Sequence, residues 1–235
     1  MTKKQPDMKT FSAIITGSTG MVGRAVLLEC LDHERVSEVL VVNRSPLDLK
    51  HPKLREVLLS DFTKAATIQE ELRPYDACFF CAGVSSIGMD EEKFKKLTYD
   101  LTVAFAQACH AANPDMVFNY VSGAGTDSSE QGRVMWARVK GATENAILKM
   151  GFRDAYAFRP GAILPQRGIR SRTGWYQAIY VVMRPLFPIL QKFDSIVTTT
   201  QFGRAMINSV LYPQEQKHLD NPDIGVLSSR HPMLS

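Results

Sequence analysis

Thr16-Gly17-Ser18-Thr19-Gly20-Met21-Val22-Gly23 is the stretch that decides the fold. It joins an apolar run, Phe11–Thr16, to a segment of helical period, Gly20–Leu31, in which Val22, Val26 and Leu27 share one face. A strand that turns into a helix through GxxGxxG spacing has a direct physical reading. Gly17 permits a tight turn. Gly20 lets the backbone approach a pyrophosphate with no Cβ in the way, and Gly23 lets the helix lie close to the strand. The first N–H groups of the helix, at the positive end of its dipole, then face the phosphates. Gly17, Ser18, Thr19, Gly20, Met21, Val22 and Gly23 are therefore expected to cradle a dinucleotide. No Gly-Lys-Ser/Thr follows, which disfavours a Walker-type nucleotide site.

Outward from this turn, short apolar runs alternate with segments of helical period. Strands are expected at Val39–Val42, Glu56–Leu59, Asp76–Cys81, Met116–Val121 and Asp154–Phe158, with helices at Glu91–Ala112 and Gly132–Lys149. Successive strands joined by helices need right-handed crossovers, which build a parallel sheet covered on both faces. The expected fold class is thus α/β, a doubly wound, Rossmann-like parallel sheet. The chain reads as one dinucleotide-binding domain over residues 1–235, with tails at 1–9 and 213–235. After Pro160 the rhythm breaks at Pro165, Pro185 and Pro188, and residues 161–195 are expected to form a small substrate lobe over the carboxyl edge of the sheet. Its apolar stretch, Trp175–Leu190, is interrupted by Arg184-Pro185 and is too short to span a bilayer. It reads as a pocket wall or a contact with a second copy. Thr198–Leu211 reads as a helix and Tyr212–Ser235 as an irregular tail.

The second strand ends at Val42-Asn43-Arg44, about 20 residues beyond the last motif glycine, where a ribose-reading residue belongs. An acidic side chain there would bind the 2′-hydroxyl of NAD. Arg44 instead suits a 2′-phosphate, so NADP(H) is preferred, with NAD(H) as the alternative. Asp61 and Phe62, just past the third strand, are placed to meet the adenine edge. Cys81-Ala82-Gly83 ends the fourth strand with small residues that leave room for the cofactor.

Composition narrows the class further. Hydrophobic residues make up 45% and charged residues 22%, a globular balance that rules out disorder. A net charge of +4 with interspersed signs gives no nucleic-acid surface. Arg167, Arg170 and Arg172 could receive an anionic substrate, although a solvated basic loop is the simpler reading. The five histidines have no metal-ligand spacing, and Cys78 and Cys81 sit within an apolar strand as small core residues, so no metal is expected. Met1–Lys9 is polar and lacks the apolar core of a signal peptide. With four cysteines read as free thiols, this gives the expectation of a cytoplasmic protein.

These residues resemble the extended and atypical short-chain dehydrogenases/reductases. TGxTGxxG at 16–23, CAG at 81–83, Ser122 after the fifth strand, Lys140 in the next helix and Arg159-Pro160-Gly161 after the sixth strand fall in that family's order. Phe158-Arg159-Pro160-Gly161 and Val139-Lys140-Gly141 bring the likeness nearest to the Tat-interacting-protein oxidoreductase-like group and bacterial relatives labelled NAD-dependent epimerase/dehydratase. The resemblance implies Ser122 and Lys140 as catalytic residues that also bind the cofactor, with Arg159, Pro160 and Gly161 beside it. It also implies a Tyr-x-x-x-Lys pair, and here the chain departs: it reads Trp136-Ala137-Arg138-Val139-Lys140. An indole N–H donates a hydrogen bond but does not ionise near neutral pH. Lys140, a loop residue among Thr126, Asp127 and Ser128, or a tyrosine such as Tyr99 or Tyr120 would have to carry the proton.

Two functions fit this reading. One is an NADP(H)-dependent oxidoreductase or epimerase-type enzyme acting on a small carbonyl or alcohol. The other is a non-catalytic NADP(H)-binding regulator that acts through a protein partner.

Overall fold

A computed structural model describes residues 10–169 and 196–230. Its strands are β1 (Phe11–Thr16), β2 (Val36–Asn43), β3 (Leu54–Leu58), β4 (Ala77–Phe80), β5 (Val117–Val121), β6 (Asp154–Arg159), β7 (Ala162–Leu164), β8 (Ile196–Thr198) and β9 (His218–Asp220). The described helices are α1 (Met21–Asp32), α2 (Gln69–Leu72), α3 (Glu91–Lys95), α4 (Leu101–Ala112), α5 (Met135–Leu148), α6 (Thr199–Leu211) and α7 (Asn221–Ser228), with a 3-10 stretch at Phe62–Ile68.

Seven strands form one sheet in the order β3-β2-β1-β4-β5-β6-β9, and every neighbouring pair is parallel. This is the doubly wound α/β architecture. The order reverses between β1 and β4, and a crevice opens there at the carboxyl ends of the strands. Strand alternation supplies two cores. Ala13, Ile15, Val41 and Phe79 face one side and meet Val26 and Leu27 of α1 and Phe202 and Met206 of α6. Ile14, Leu40, Cys78 and Phe80 face the other and meet Phe105 of α4 and Ile147 of α5. Burial of both faces explains why these strands read as continuous apolar runs rather than alternating ones.

Three features differ from expectation. The helix expected over Glu91–Ala112 contains a π turn at Lys96–Asp100, where Thr102 Oγ1 donates to the Thr98 carbonyl at 2.5 Å. β7 and β8 pair in parallel as a separate two-stranded sheet, Ala162 opposite Ile196 and Leu164 opposite Thr198. Most of the expected lobe, including Arg170, Arg172 and Trp175–Leu190, lies outside the described residues. The third is a correction: the segment read as an irregular tail carries β9 and α7. Pro222 opens α7, and a capping box between Asp220 and Asp223 satisfies its first N–H groups. Leu219, Ile224 and Leu227 are buried in the core shared with α6.

Candidate active site

The turn after β1 is built on close approach. Gly17 has φ +67°, and a Cβ there would lie 2.6 Å from the Ala82 nitrogen. Ala82 N–H donates to Thr16 Oγ1 at 3.2 Å, so the end of β4 is seated directly on the turn. A Cβ on Gly23 would lie 2.3 Å from the Gly17 carbonyl oxygen, which shows that Gly23 makes room for the turn itself. Gly20 is the N-cap of α1, which has no side-chain cap and no acidic residue in its first turn. Its first N–H groups and dipole are thus left to an anion. Above the adjoining strand ends, a Cβ on Gly83 or on Gly123 would meet nothing within 4 Å, so open space stands over β4 and β5. These features fit a dinucleotide pyrophosphate.

Ser18, within the turn, is buried and exchanges hydrogen bonds with Asn43: Asn43 Nδ2 donates to Ser18 Oγ at 2.8 Å, and Ser18 Oγ donates to Asn43 Oδ1 at 3.1 Å. Thr19, Met21 and Val22 are half-buried around it. Asn43 was not singled out in the sequence, although a lone amide ending an apolar strand was the available signal. Its neighbour Arg44 is exposed and makes no ion pair among the described residues. Asp61 caps the 3-10 stretch, accepting from Thr63 N at 3.0 Å and Thr63 Oγ1 at 2.7 Å, and these bonds hold its carboxyl below the usual range. The Phe62 ring, expected at the adenine edge, turns into the core against Phe80 and Phe105, with ring centroids 6.1 and 5.3 Å away. Cys81 and Ala82 are half-buried and Gly83 is exposed. Cys78 and Cys81 belong to opposite faces of the sheet, and burial pushes both thiols up.

Ser122 and Lys140 come together. Lys140 Nζ donates to the Ser122 carbonyl oxygen at 3.0 Å, and Ser122 Oγ lies 3.0 Å from Thr126 Oγ1. Burial pushes the Lys140 amine down to about 8, partly offset by the Glu144 carboxylate one helical turn along. Trp136 is half-buried, and its ring lies 3.6 Å from a Cβ position at Gly125, over the loop that follows Ser122. Tyr120 is buried beneath Lys140, whose Nζ is 5.9 Å from the ring centroid. Desolvation raises its phenol, which makes it a poor acid at neutral pH. Tyr99 lines a groove with Arg138 and Ala142, two residues either side of Lys140 and so on the opposite face of α5. Asp127 is fully used within its loop, accepting from Ser129 N at 3.0 Å, Ser129 Oγ at 2.6 Å and Gly132 N at 2.6 Å, and these bonds depress its carboxyl. Of the groups weighed as proton carriers, Lys140 alone combines a place at Ser122 with titration near neutral pH.

Arg159 is engaged by protein. Its Nε donates to Glu144 Oε1 at 3.1 Å and Oε2 at 3.2 Å, and its Nη2 donates to Glu144 Oε2 and to Ser128 Oγ, each at 2.5 Å. Pro160 offers its carbonyl to Ala124 N at 3.0 Å, and Gly161 N donates to Asn221 Oδ1 at 3.1 Å. Arg159 and Pro160 therefore hold the loop after β5, while Gly161 is tied to the start of α7. Glu144 was missed in the sequence, where its i+4 spacing from Lys140 was the signal. Arg167 is likewise paired, with Glu29 at 2.9 Å and Asp32 at 2.7 Å. No cluster of metal-ligating residues occurs among the described residues, and no described helix is long and apolar enough to cross a membrane.

Comparison with known proteins bears on the family and the fold. The model of the NAD dependent epimerase/dehydratase family matches residues 13–133. Protein FMP52, mitochondrial, of Debaryomyces hansenii is 30% identical over 160 residues, covering 66% of this chain and 68% of that protein. Protein HTATIP2 of Rattus norvegicus is 27% identical over 213 residues, covering 88% and 84%. In fold, the chain is similar to the Bordetella bronchiseptica enzyme WbmH in complex with NAD+ (TM-score 0.62, 18% identity, 87% of this chain and 72% of that one). It is also similar to a short chain dehydrogenase from Burkholderia cenocepacia in complex with NADP (TM-score 0.64, 14% identity, 89% and 88%). The cytoplasmic location expected from the sequence is corrected here: several FMP52 relatives are named mitochondrial, which points away from the cytoplasm.

Proposed function

The chain belongs to the NAD dependent epimerase/dehydratase family, and from that premise we propose that it binds NADP(H) and carries out oxidoreductase or epimerase-type chemistry on a small carbonyl or alcohol. The observation that carries this reading is the junction of Lys140 with Ser122 beside the crevice over which the uncapped end of α1 opens. The turn Gly17–Gly23 would hold the pyrophosphate, and Arg44 would hold the 2′-phosphate through charge-assisted hydrogen bonds. When bound, the nicotinamide supplies or accepts a hydride. Thr126 Oγ1 donates to the Gly123 carbonyl at 2.8 Å, so Ser122 Oγ donates to Thr126 and would turn its proton from there to the substrate oxygen. Lys140 would give the substrate oxygen a proton in reduction and take it back in oxidation, the task that a Tyr at position 136 would otherwise perform.

Titration of the purified protein with NADPH and NADH tests the cofactor. Arg44→Ala should weaken NADPH at least about tenfold, the scale of a charged hydrogen bond, while leaving NADH nearly unchanged. Equal losses would remove the 2′-phosphate assignment. Trp136 favours the second reading, a regulator that binds NADP(H) without turnover. A carbonyl panel with NADPH separates the two: reduction that disappears in Lys140→Met supports the enzyme, and tight NADPH binding with no turnover supports the regulator.

A further inference from the structure

We propose that Glu144 and Arg159 form a positioning pair that holds the Lys140 amine and the Ser122–Ser128 loop in register with each other. The inference rests on the reading of Lys140 as the group at the reacting oxygen. Glu144 is wholly buried and Arg159 is 15% exposed, so neither reaches its partner through solvent. Their contact is a fork: the guanidinium uses Nε and Nη2 on one carboxylate and still reaches Ser128 Oγ with Nη2. Both partners sit on elements that build the site. Glu144 follows Lys140 by one turn of α5, and Arg159 ends β6 between two carbonyls that hold the loop: that of Phe158 accepts from Ser122 N at 2.8 Å, and that of Pro160, just past the strand, from Ala124 N at 3.0 Å. The loop is clamped from the helix side as well. Asp127 N donates to the Ala137 carbonyl at 3.1 Å, and Asn145 Nδ2 donates to the Ser128 carbonyl at 2.9 Å. The ion pair thus joins the helix that carries Lys140 to the strand that holds Ser122.

The charges around Glu144 decide what each substitution does. Lys140 shares its helix, Arg159 approaches from β6, His218 Nε2 lies 3.4 Å away on β9, and Tyr120 faces it from β5. Glu144 favours the charged form of Lys140, and Arg159 claims most of that carboxylate. Removing each partner therefore moves Lys140 in opposite directions, which a merely structural role would not do.

The test is an NMR pH titration of Lys140 in lysine-labelled protein, with the resonance identified by its absence in Lys140→Met. Glu144→Gln should lower the midpoint by about half a pH unit or more, and Arg159→Gln should raise it. Where one variant fails to fold, the other carries the test, and Glu144→Asp, which keeps the charge at a shifted place, gives a second downward shift. Midpoints that stay at the wild-type value, or that move the same way in Glu144→Gln and Arg159→Gln, overturn the proposal. The readout needs no substrate or cofactor. A wild-type protein that binds no dinucleotide would defeat the proposed function while leaving this result readable.

Discussion

Lys140 carries the pH behaviour expected of the site. Burial holds its amine down to about 8, well under its ordinary value, so it is charged below that pH and neutral above it. In the proposed role of proton donor it must be charged, so under that proposal the reduction rate should fall as pH rises through about 8, and oxidation should rise over the same interval. Rate profiles in both directions check this, and the shared inflection should vanish in Lys140→Met. The sign for stability follows from the same shift. A folded-state value below the unfolded one means that stability is gained as pH rises from about 8 towards the ordinary lysine range and is lost as pH falls back through about 8. Next to Lys140, Gly141 has no room for a methyl group: a Cβ there would lie 1.8 Å from the Asp127 carbonyl oxygen. Gly141→Ala must push the loop off α5, at a cost of roughly 1–3 kcal/mol by the scale of overpacking, read as a lower urea midpoint. Ser122 and Lys140 were legible because their spacing follows a known order. Glu144 and Asn43 were not, because a buried carboxylate or amide is recognised by its partner, and Arg159 and Ser18 lie far away in sequence.

Among the elements, the glycine turn was legible since it needs only its own neighbours: a strand before, a helix after, and residues that tolerate close approach. Its glycines nevertheless do different work. A Cβ on Gly23 would lie 2.3 Å from the Gly17 carbonyl oxygen, whereas a Cβ on Gly20 would meet only that same oxygen, at 3.3 Å. Gly23→Ala should therefore displace the turn and lose both thermal stability and dinucleotide affinity. Gly20→Ala should cost far less stability and act mainly on affinity, since its methyl group needs only a few tenths of an ångström from that oxygen. Parallel melting curves and NADPH titrations of the two variants separate these outcomes. β7, β8 and β9 escaped notice for a physical reason: each has three residues, too few for a period, and each is fixed by a partner remote in sequence. α7 did carry a local signal in Asp220, Pro222 and Asp223, which its short apolar pattern obscured.

At the scale of the whole molecule, the sheet separates two cores among the described residues, and the candidate site lies at the carboxyl edge of its strands. The side bearing α1 and α6 is closed by α7, whose Ile224 is fully buried. Asn208 of α6 donates to the Leu227 and Arg230 carbonyls at 2.8 and 3.0 Å, capping the end of α7. On the inner side of α6, Asn119 Nδ2 donates to Ser209 Oγ at 2.7 Å and so pins that helix to β5. Loss of packing under α7 should thus reach the sheet through α6, while the glycine turn, fixed by Ala82, Ser18 and Asn43, keeps its geometry. Ile224→Ala should cost about 2–5 kcal/mol, the range for truncating a buried aliphatic side chain. Denaturation followed by far- and near-ultraviolet circular dichroism should show one shared transition at lower urea, because both cores depend on the same strands. NADPH affinity of the folded fraction should stay within about threefold of wild type, a difference under 1 kcal/mol. Two separated transitions would show that the faces unfold independently, and a large loss of affinity would show that α7 reaches the turn by a route other than the sheet.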